Sequence, residues 1–113
     1  MNYEIETSAS FDREAKRLGK HYTSFKDDYN KLLEELRLNP ELGTSLGGGL
    51  RKIRMKISSK GKGKRAGARV ISFTVIVSAQ DAVLNLLYIY DKSERSSITK
   101  QEIEELLISN NLK

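Results

Sequence analysis

The chain has 113 residues, 38% of them hydrophobic and 31% charged, and its formal net charge is +5. This composition is typical of a folded globular protein, and the length predicts a single domain, 1–113. The absence of cysteine excludes disulfides and thiolate zinc sites. The amino terminus shows no signal peptide, and no apolar run approaches the roughly 18 residues of a membrane span. We therefore expect a protein of the reducing cytoplasm without a membrane partner.

The positive charge is concentrated in one central part of the chain. Between Gly43 and Gln80 there is no Asp or Glu, yet nine of the twenty Lys and Arg residues lie there. The rest of the chain holds eleven cations against fifteen acids, so the whole positive excess comes from this basic block. A surface of one sign is expected to bind polyanions such as nucleic acid. The block consists of Arg51, Lys52, Arg54, Lys56, Lys60, Lys62, Lys64, Arg65 and Arg69.

The amino-terminal half of the sequence predicts one strand and two helices. Residues 3–7 alternate in polarity, which is typical of a short strand, and residues 11–18 carry an apolar stripe with helical spacing. At 24–27 the motif S-x-x-D resembles a capping box and predicts the start of a second helix, which Asn39-Pro40 ends. Because only about four residues separate the two helices, we expect them to form an antiparallel hairpin.

The second half predicts three strands and a final helix. Residues 40–49 are interpreted as a loop, and residues 50–57 alternate between apolar and cationic side chains, as in a strand with one buried face. After a glycine-rich cationic loop, residues 68–78 and 83–90 predict two central strands that are apolar on both faces. A T-x-x-E capping box at 99–102 predicts the last helix. The order β-α-α-β-β-β-α indicates an α+β fold with a mostly antiparallel sheet, a helical hairpin on one face and a C-terminal helix.

The strand face that carries Lys52, Arg54 and Lys56 is the first candidate site. It can be an ordinary solvated strand face, but side chains at i and i+2 are close neighbours and no sequence-local acid relieves their repulsion. A bound phosphate would relieve this repulsion. We therefore favour a phosphate-binding face over a solvated one.

The loop from Lys60 to Arg69 has two interpretations. It is either a flexible hairpin tip or a segment whose backbone N–H groups and long cations surround a phosphate chain. It does not match the nucleotide-binding P-loop, because Gly63-Lys64 is followed by Arg65 instead of Ser or Thr. The predicted RNA-contacting residues of the strand and the loop are Arg51, Lys56, Lys60, Lys62, Lys64 and Arg65.

The residue types available limit the chemistry that the basic block can perform. His21 is the only histidine, which excludes a histidine-pair nuclease, and we expect it in the turn between the helices rather than in catalysis. A metal-dependent nuclease needs clustered acids, which the block lacks. Phosphate chemistry would then depend on Lys, Arg, Tyr and a 2′-hydroxyl nucleophile, which indicates RNA rather than DNA. A lysine among like charges releases its proton more easily and is a candidate base.

The end of the last predicted strand is a further candidate. Tyr90 lies next to Lys92 in the sequence. It is either a core or sheet-surface aromatic, or a group that stacks on a base or takes part in the proton transfers.

Five segments of the chain together resemble bacterial toxins of the RelE/HigB type. They are FDREAKRL, FKDDYNKLLEELRLNPELG, LRKIRMKI, KGKGKRAGARVISF and LYIYDKSERSSITKQEI, and the resemblance extends from Tyr3 to Leu107. It implies the toxin of a type II toxin–antitoxin module, which enters the ribosomal A site and cuts the bound mRNA without a metal. The cut proceeds by attack of a 2′-hydroxyl and leaves a cyclic phosphate. The implied partners are an acidic antitoxin and the ribosome with bound mRNA.

The resemblance also implies site residues. By position, Lys52 and Arg54 match the family's active-site Lys/Arg pair, and Arg69 matches its phosphate-stabilising arginine. The segment from Tyr90 to Lys92 matches the region where the family often has a further catalytic cation. No metal or other cofactor is implied. The related ParE toxins share the fold and inhibit DNA gyrase without cutting RNA, so gyrase inhibition is the alternative function, although the dense cations favour RNA cleavage.

Overall fold

The fold is a five-stranded sheet with helices on both faces, and the computed structural model describes residues 1–113. No helix combines the length and the apolar composition that crossing a bilayer requires. In chain order the elements are β1 (Asn2–Thr7), α1 (Ala9–His21), α2 (Phe25–Leu38), β2 (Thr44–Gly47), β3 (Leu50–Met55), β4 (Ala68–Ile76), β5 (Asp81–Asp91) and α3 (Lys100–Ser109).

The strand order across the sheet is β1-β5-β4-β3-β2. The strands from β2 to β5 form an antiparallel meander, and β1 pairs in parallel with β5 at one edge. β4 and β5 are the two strands predicted to be apolar on both faces, and both lie inside the sheet, where each of their faces is covered. The predicted α+β class and the mostly antiparallel sheet are confirmed.

Apolar side chains on the two faces of the sheet form two separate cores. On one face α1 and α2 pack on the sheet around a core that includes Phe11, Leu18, Leu32, Ile53 and Val70. On the other face the core beneath α3 consists of Ile71, Leu87, Ile103 and Leu107. Side chains alternate between the two faces along a strand. Ile53 and Val70 lie in the first core, so their sequence neighbours lie on the opposite face, which is the face of α3. These neighbours include Lys52, Arg54 and Arg69.

Two of the three helix starts are capped by a side chain. The hydroxyl of Ser8 accepts a hydrogen bond from the backbone N–H of Phe11 at 3.0 Å and caps α1. The predicted capping box of α3 is present, since Thr99 and Glu102 exchange backbone and side-chain hydrogen bonds at 3.1 Å. α1 continues two residues past Gly19, so His21 is the exposed last helical residue rather than part of the turn.

The capping box predicted for α2 is wrong. Ser24 precedes the helix but makes no side-chain cap hydrogen bond, and Asp27 is exposed. The Ser24 hydroxyl instead donates to the carboxylate of Asp28 at 2.7 Å and accepts from the backbone N–H of Ser59 at 2.8 Å. Asp28 is buried and also accepts two hydrogen bonds from Ser58, at 2.8 and 2.6 Å. The start of α2 therefore anchors the loop that follows β3.

The interpretation of residues 40–49 as a loop is also wrong, because Thr44–Gly47 forms β2 and pairs with β3. The two strands are joined by Gly48 and Gly49, whose φ angles are 60° and 85°. Positive φ at both central residues is what a two-residue hairpin turn requires, and glycine adopts it without strain. The predicted order therefore lacks one strand, and the predicted strand at 50–57 ends earlier, at Met55.

We expect Gly43→Ala to destabilise the protein more than Gly48→Ala. Both glycines have a positive φ, 97° and 60°, so alanine at either position costs about 1–2 kcal/mol of backbone strain. A Cβ atom at Gly43 would also lie 2.5 Å from the carbonyl oxygen of Lys52, whereas at Gly48 it meets nothing within 4 Å. Urea unfolding measures both variants. Equal losses of stability would contradict the close approach of the Gly43 backbone to β3.

Candidate functional site

An open cleft of about 690 Å³ lies where β2, β3, β4, the loop 58–67 and the segment after β5 meet. Five cations line it, and no Asp or Glu does. No group of three or more His, Cys, Asp or Glu side chains is arranged to hold a metal ion. The polar chemistry of the cleft is therefore that of amines and guanidinium groups. Its cations, here called the cleft cations, are Lys52, Arg54, Lys64, Arg69 and Lys92.

The register of the sheet places the central residues side by side. Arg54 of β3 is the pairing partner of Arg69 of β4, and Arg69 is in turn the partner of Tyr90 of β5. Residues that pair directly on neighbouring strands have Cβ atoms about 4.5–5.5 Å apart. Two cations in such positions repel each other unless an anion lies between them, so the arrangement favours a bound phosphate.

Arg69 is the most buried cation of the cleft, with 6% of its surface exposed. Its guanidinium donates to the carbonyl oxygens of Lys64 at 3.2 Å, Arg65 at 2.9 Å and Ala68 at 3.2 Å, and it has no carboxylate partner. Burial, and then the charge of Arg54, lower the pKa of Arg69 from its ordinary value. The carbonyls orient the guanidinium without neutralising it, so its charge remains available to an anionic ligand.

The other cleft cations are more accessible. Arg54 and Lys64 are exposed, and Lys52 and Lys92 are half-buried. Lys64 makes a salt bridge with Glu35 at 3.4 Å, with both side chains about half exposed. Exposed pairs of this kind contribute about 0–1 kcal/mol, so a phosphate competes readily for Lys64.

Tyr90 lies beside the cleft cations but does not line the cleft. It is 2% exposed, its hydroxyl has no hydrogen-bond partner, and the Arg95 guanidinium lies 5.5 Å from its ring centroid. Burial raises the pKa of Tyr90, although Arg69 and Arg95 oppose this effect. The covered ring has no free face for a nucleobase. Of the interpretations of Tyr90, the buried aromatic and the proton donor remain.

Five of the six predicted RNA-contacting residues do not line the cleft, and Lys60 among them is described below. Arg51 alternates with Lys52 along β3, so it lies on the opposite face, where it donates to the carbonyl oxygen of Gly43 at 3.1 Å. The other three are exposed around the cleft but do not line it, and they are Lys56, Lys62 and Arg65. Of the predicted RNA-contacting set, only Lys64 lines the cleft.

Lys60 does not line the cleft, and its amine is held by a network of hydrogen bonds. Its amine lies 2.5 Å from the carboxylate of Asp91, and the two side chains are 12% and 1% exposed. Lys60 also donates to the carbonyl oxygen of Ala66 at 2.9 Å and to the hydroxyl of Ser93 at 3.2 Å. The amine is therefore occupied on the side of the loop away from the cleft.

Residues that sequence reasoning missed form one wall of the cleft. Gly43, Thr44 and Leu46 line it, and they lie in or next to the unpredicted strand β2. The signal for this wall is the pair Gly48-Gly49, because two glycines between short extended runs are typical of a hairpin. Through these residues the backbone of β2 lies beside the cleft cations.

The comparison with known protein families agrees with this geometry. Residues 9–111 match the family described as the RelE toxin of the RelE/RelB toxin–antitoxin system. The chain belongs to the RelE toxin family. The match includes both helices of the amino-terminal half, all strands of the meander and α3, so it covers every element that forms the cleft. As a RelE-type toxin, the protein is the toxin component of a toxin–antitoxin system, in which RelE pairs with the antitoxin RelB.

Proposed function

We propose that this RelE-family toxin cuts messenger RNA bound to the ribosome and thereby stops translation. The observation that supports this function is the cleft itself. The cations that the sequence analysis predicts for catalysis line one cleft without any carboxylate, namely Lys52, Arg54, Arg69 and Lys92. Such a cleft attracts the phosphates of an RNA backbone, and it has no negative side chain that would repel them.

The proposed reaction is an internal transfer at one phosphate of the RNA. The 2′-hydroxyl gives up its proton to a base and its oxygen attacks the adjacent phosphorus. The bond from phosphorus to the 5′-oxygen of the next nucleotide breaks, and this oxygen takes up a proton. The products are a 2′,3′-cyclic phosphate and a 5′-hydroxyl, so water is not consumed in the cut.

The cleft cations divide into two kinds for this reaction. A guanidinium group carries a permanent positive charge in proteins, so the role of Arg54 and Arg69 is to stabilise the additional negative charge on the phosphate oxygens in the transition state. Lysine amines exchange protons more readily than guanidinium groups. The candidates for the base and the acid of the proposed reaction are therefore lysines of the cleft, Lys52 on the sheet and Lys92 just after β5, and Tyr90 is the alternative proton donor.

The proposed partners follow from the same charge distribution. An antitoxin with an acidic segment neutralises the toxin by covering the cleft cations, and the RNA surface of the ribosome attracts the same face. Binding to both partners at once is then excluded, because each requires the same side chains. This competition explains how one small protein is held inactive until its antitoxin is lost.

Primer extension on a translated message after induction of the toxin tests the proposed function. We expect new 5′ ends at fixed positions within codons, which disappear when translation initiation of that message is blocked. Cuts that persist without translation would contradict the ribosome dependence. Intact messages together with linearised plasmid DNA would instead support inhibition of gyrase, the function of the ParE toxins.

A further inference from the structure

The loop 58–67, which joins β3 to β4, contains two short helical turns, Ser58–Lys60 and Lys64–Ala66. Between them Gly61 and Gly63 have φ angles of 67° and 73°. Glycines lose the most conformational freedom on folding, so an ordered loop of this composition needs strong tertiary contacts. Two buried carboxylates supply such contacts, Asp28 at Ser58 and Asp91 at Lys60.

Asp91 ends β5 and its carboxylate accepts hydrogen bonds from three different segments. Lys60 of the loop donates at 2.5 Å, and the backbone N–H and hydroxyl of Ser93 donate at 2.9 and 2.7 Å. The hydroxyl of Tyr22, just after α1, donates to the second oxygen. The amine of Lys60 also lies 5.2 Å from the centroid of the Tyr22 ring. This network attaches the first helical turn of the loop to Tyr22, in the helical hairpin.

The same turn that Lys60 holds also holds Arg69. Three successive carbonyl groups of the turn accept from these two cations: those of Lys64 and Arg65 accept from Arg69, and that of Ala66 accepts from Lys60. Arg69 has no carboxylate partner, so the position of its guanidinium depends on where the turn lies. Lys60 is the side chain that donates to this turn from the other side of the loop, and the backbone N–H of Lys92 donates to the carbonyl oxygen of Gly67 beside it at 3.0 Å.

We propose that the Lys60–Asp91 ion pair positions Arg69 for catalysis by holding the carbonyl groups of the turn 64–66 in place. The proposal deepens the proposed RNA cleavage and rests on it. Asp91 and Lys60 are positioning residues, because neither lines the cleft. Asp91 therefore orders the loop from the side away from the cleft, and the cleft itself contains no carboxylate.

The first test is Lys60→Met, which keeps the length of the side chain and removes its charge. We expect the cleavage rate at saturating ribosomes to fall by about 100-fold, the loss that misplacement of a catalytic group by one ångström can cause. Binding to ribosomes should change by no more than about twofold, because the cleft cations are all retained.

If Lys60→Met does not fold, Lys60→Met with Asp91→Leu replaces it, since an apolar pair of similar volume avoids a buried unpaired charge. Tyr22→Phe is the matched control, because it removes one hydrogen bond to Asp91 but leaves the ion pair, and it should retain wild-type cleavage.

A double-mutant cycle separates positioning of Arg69 from a general loss of stability. If Lys60 acts through Arg69, then Lys60→Met causes no further loss of cleavage in an Arg69→Ala background. An equal additional loss in both backgrounds would overturn the proposal. Full cleavage by Lys60→Met in the wild-type background would overturn it as well.

Nuclear magnetic resonance of the arginine side chain gives a measurement that needs no activity. We expect the Nη–H protons of Arg69, which donate to the carbonyl groups of the turn, to exchange slowly with solvent in the wild-type toxin. They should lose this protection in Lys60→Met, together with the amides of residues 58–67. Unchanged protection would overturn the positioning role. If the wild-type toxin cuts no message but Arg69 loses protection in Lys60→Met, the proposed function fails and the positioning of Arg69 by Lys60 stands.

Discussion

Arg69→Ala is expected to lower the rate of mRNA cleavage by about 100- to 1,000-fold, the usual effect of removing one preorganised donor that stabilises transition-state charge. Arg69 is the most buried cation of the cleft, it is oriented by three carbonyl groups, and no carboxylate neutralises it. Because the protein already fixes this side chain, it loses little conformational entropy when it binds a phosphate. Its interaction energy is therefore available to stabilise the transition state. Primer extension and growth after induction measure the effect.

Two further variants make this result specific. Arg69→Lys retains the charge but loses the planar fork, so we expect it to recover only part of the activity. Arg51→Ala removes an arginine from the same sheet but from the opposite face of β3, and it should retain both cleavage and growth arrest. Thermal unfolding of each variant shows whether the fold is kept. Full toxicity of a folded Arg69→Ala protein would remove Arg69 from the proposed catalytic set.

Asp91→Asn is expected to lower the free energy of unfolding by about 3–5 kcal/mol, the cost of leaving one member of a buried ion pair without its partner. The amide keeps the shape of the carboxylate, but it cannot balance the charge of Lys60, which is 12% exposed. Urea unfolding at neutral pH measures the loss. Arg17→Ala is the control, because it removes an exposed salt bridge with Glu94 and should cost only about 0–1 kcal/mol. Similar losses in both variants would contradict the special role of the buried pair.

The pH dependence of stability gives a second measurement of Asp91. Burial raises the pKa of Asp91, but hydrogen bonds from Lys60, Tyr22 and Ser93 outweigh burial and hold the pKa far below its ordinary value of 3.8. A carboxylate with a depressed pKa contributes stability that is complete above the unfolded pKa and is lost as the pH falls towards the folded one. The stability difference between wild type and Asp91→Asn should therefore be constant above about pH 5 and shrink progressively below it. A difference that does not change with pH would contradict the proposed ionised state.

Local patterns in the sequence were sufficient to predict most of the fold. The capping box at Thr99 and Glu102, the helical stripe of α1 and the alternation of β3 are properties of short segments, and each was confirmed. The cationic face of β3 follows from the same alternation, because burial of Ile53 requires its neighbours to face the other way. The proximity of Arg54 on β3 and Arg69 on β4 follows if the two strands pair directly, as they do.

Features that depend on distant parts of the chain were not predictable in this way. Lys60 and Asp91 are 31 residues apart in the sequence, and no local pattern indicates that one neutralises the other. Ser24 fits a capping motif, but the hydroxyl is used by Asp28 and the loop after β3, so a tertiary contact replaced the local one. The burial of Tyr90 under Arg95 likewise depends on the position of the segment before α3.

The shortness of β2 has a consequence for the behaviour of the free toxin. β2 is four residues long and forms one edge of the sheet, with glycine at its end and in the turn that follows. A long, flat outer strand offers unpaired N–H and C=O groups to other molecules and promotes aggregation, whereas a short one offers few. On this side a second copy of the chain therefore finds little backbone on which to extend the sheet. Pairing of β2 with another copy would cover the wall of the cleft, so the short edge favours an accessible cleft.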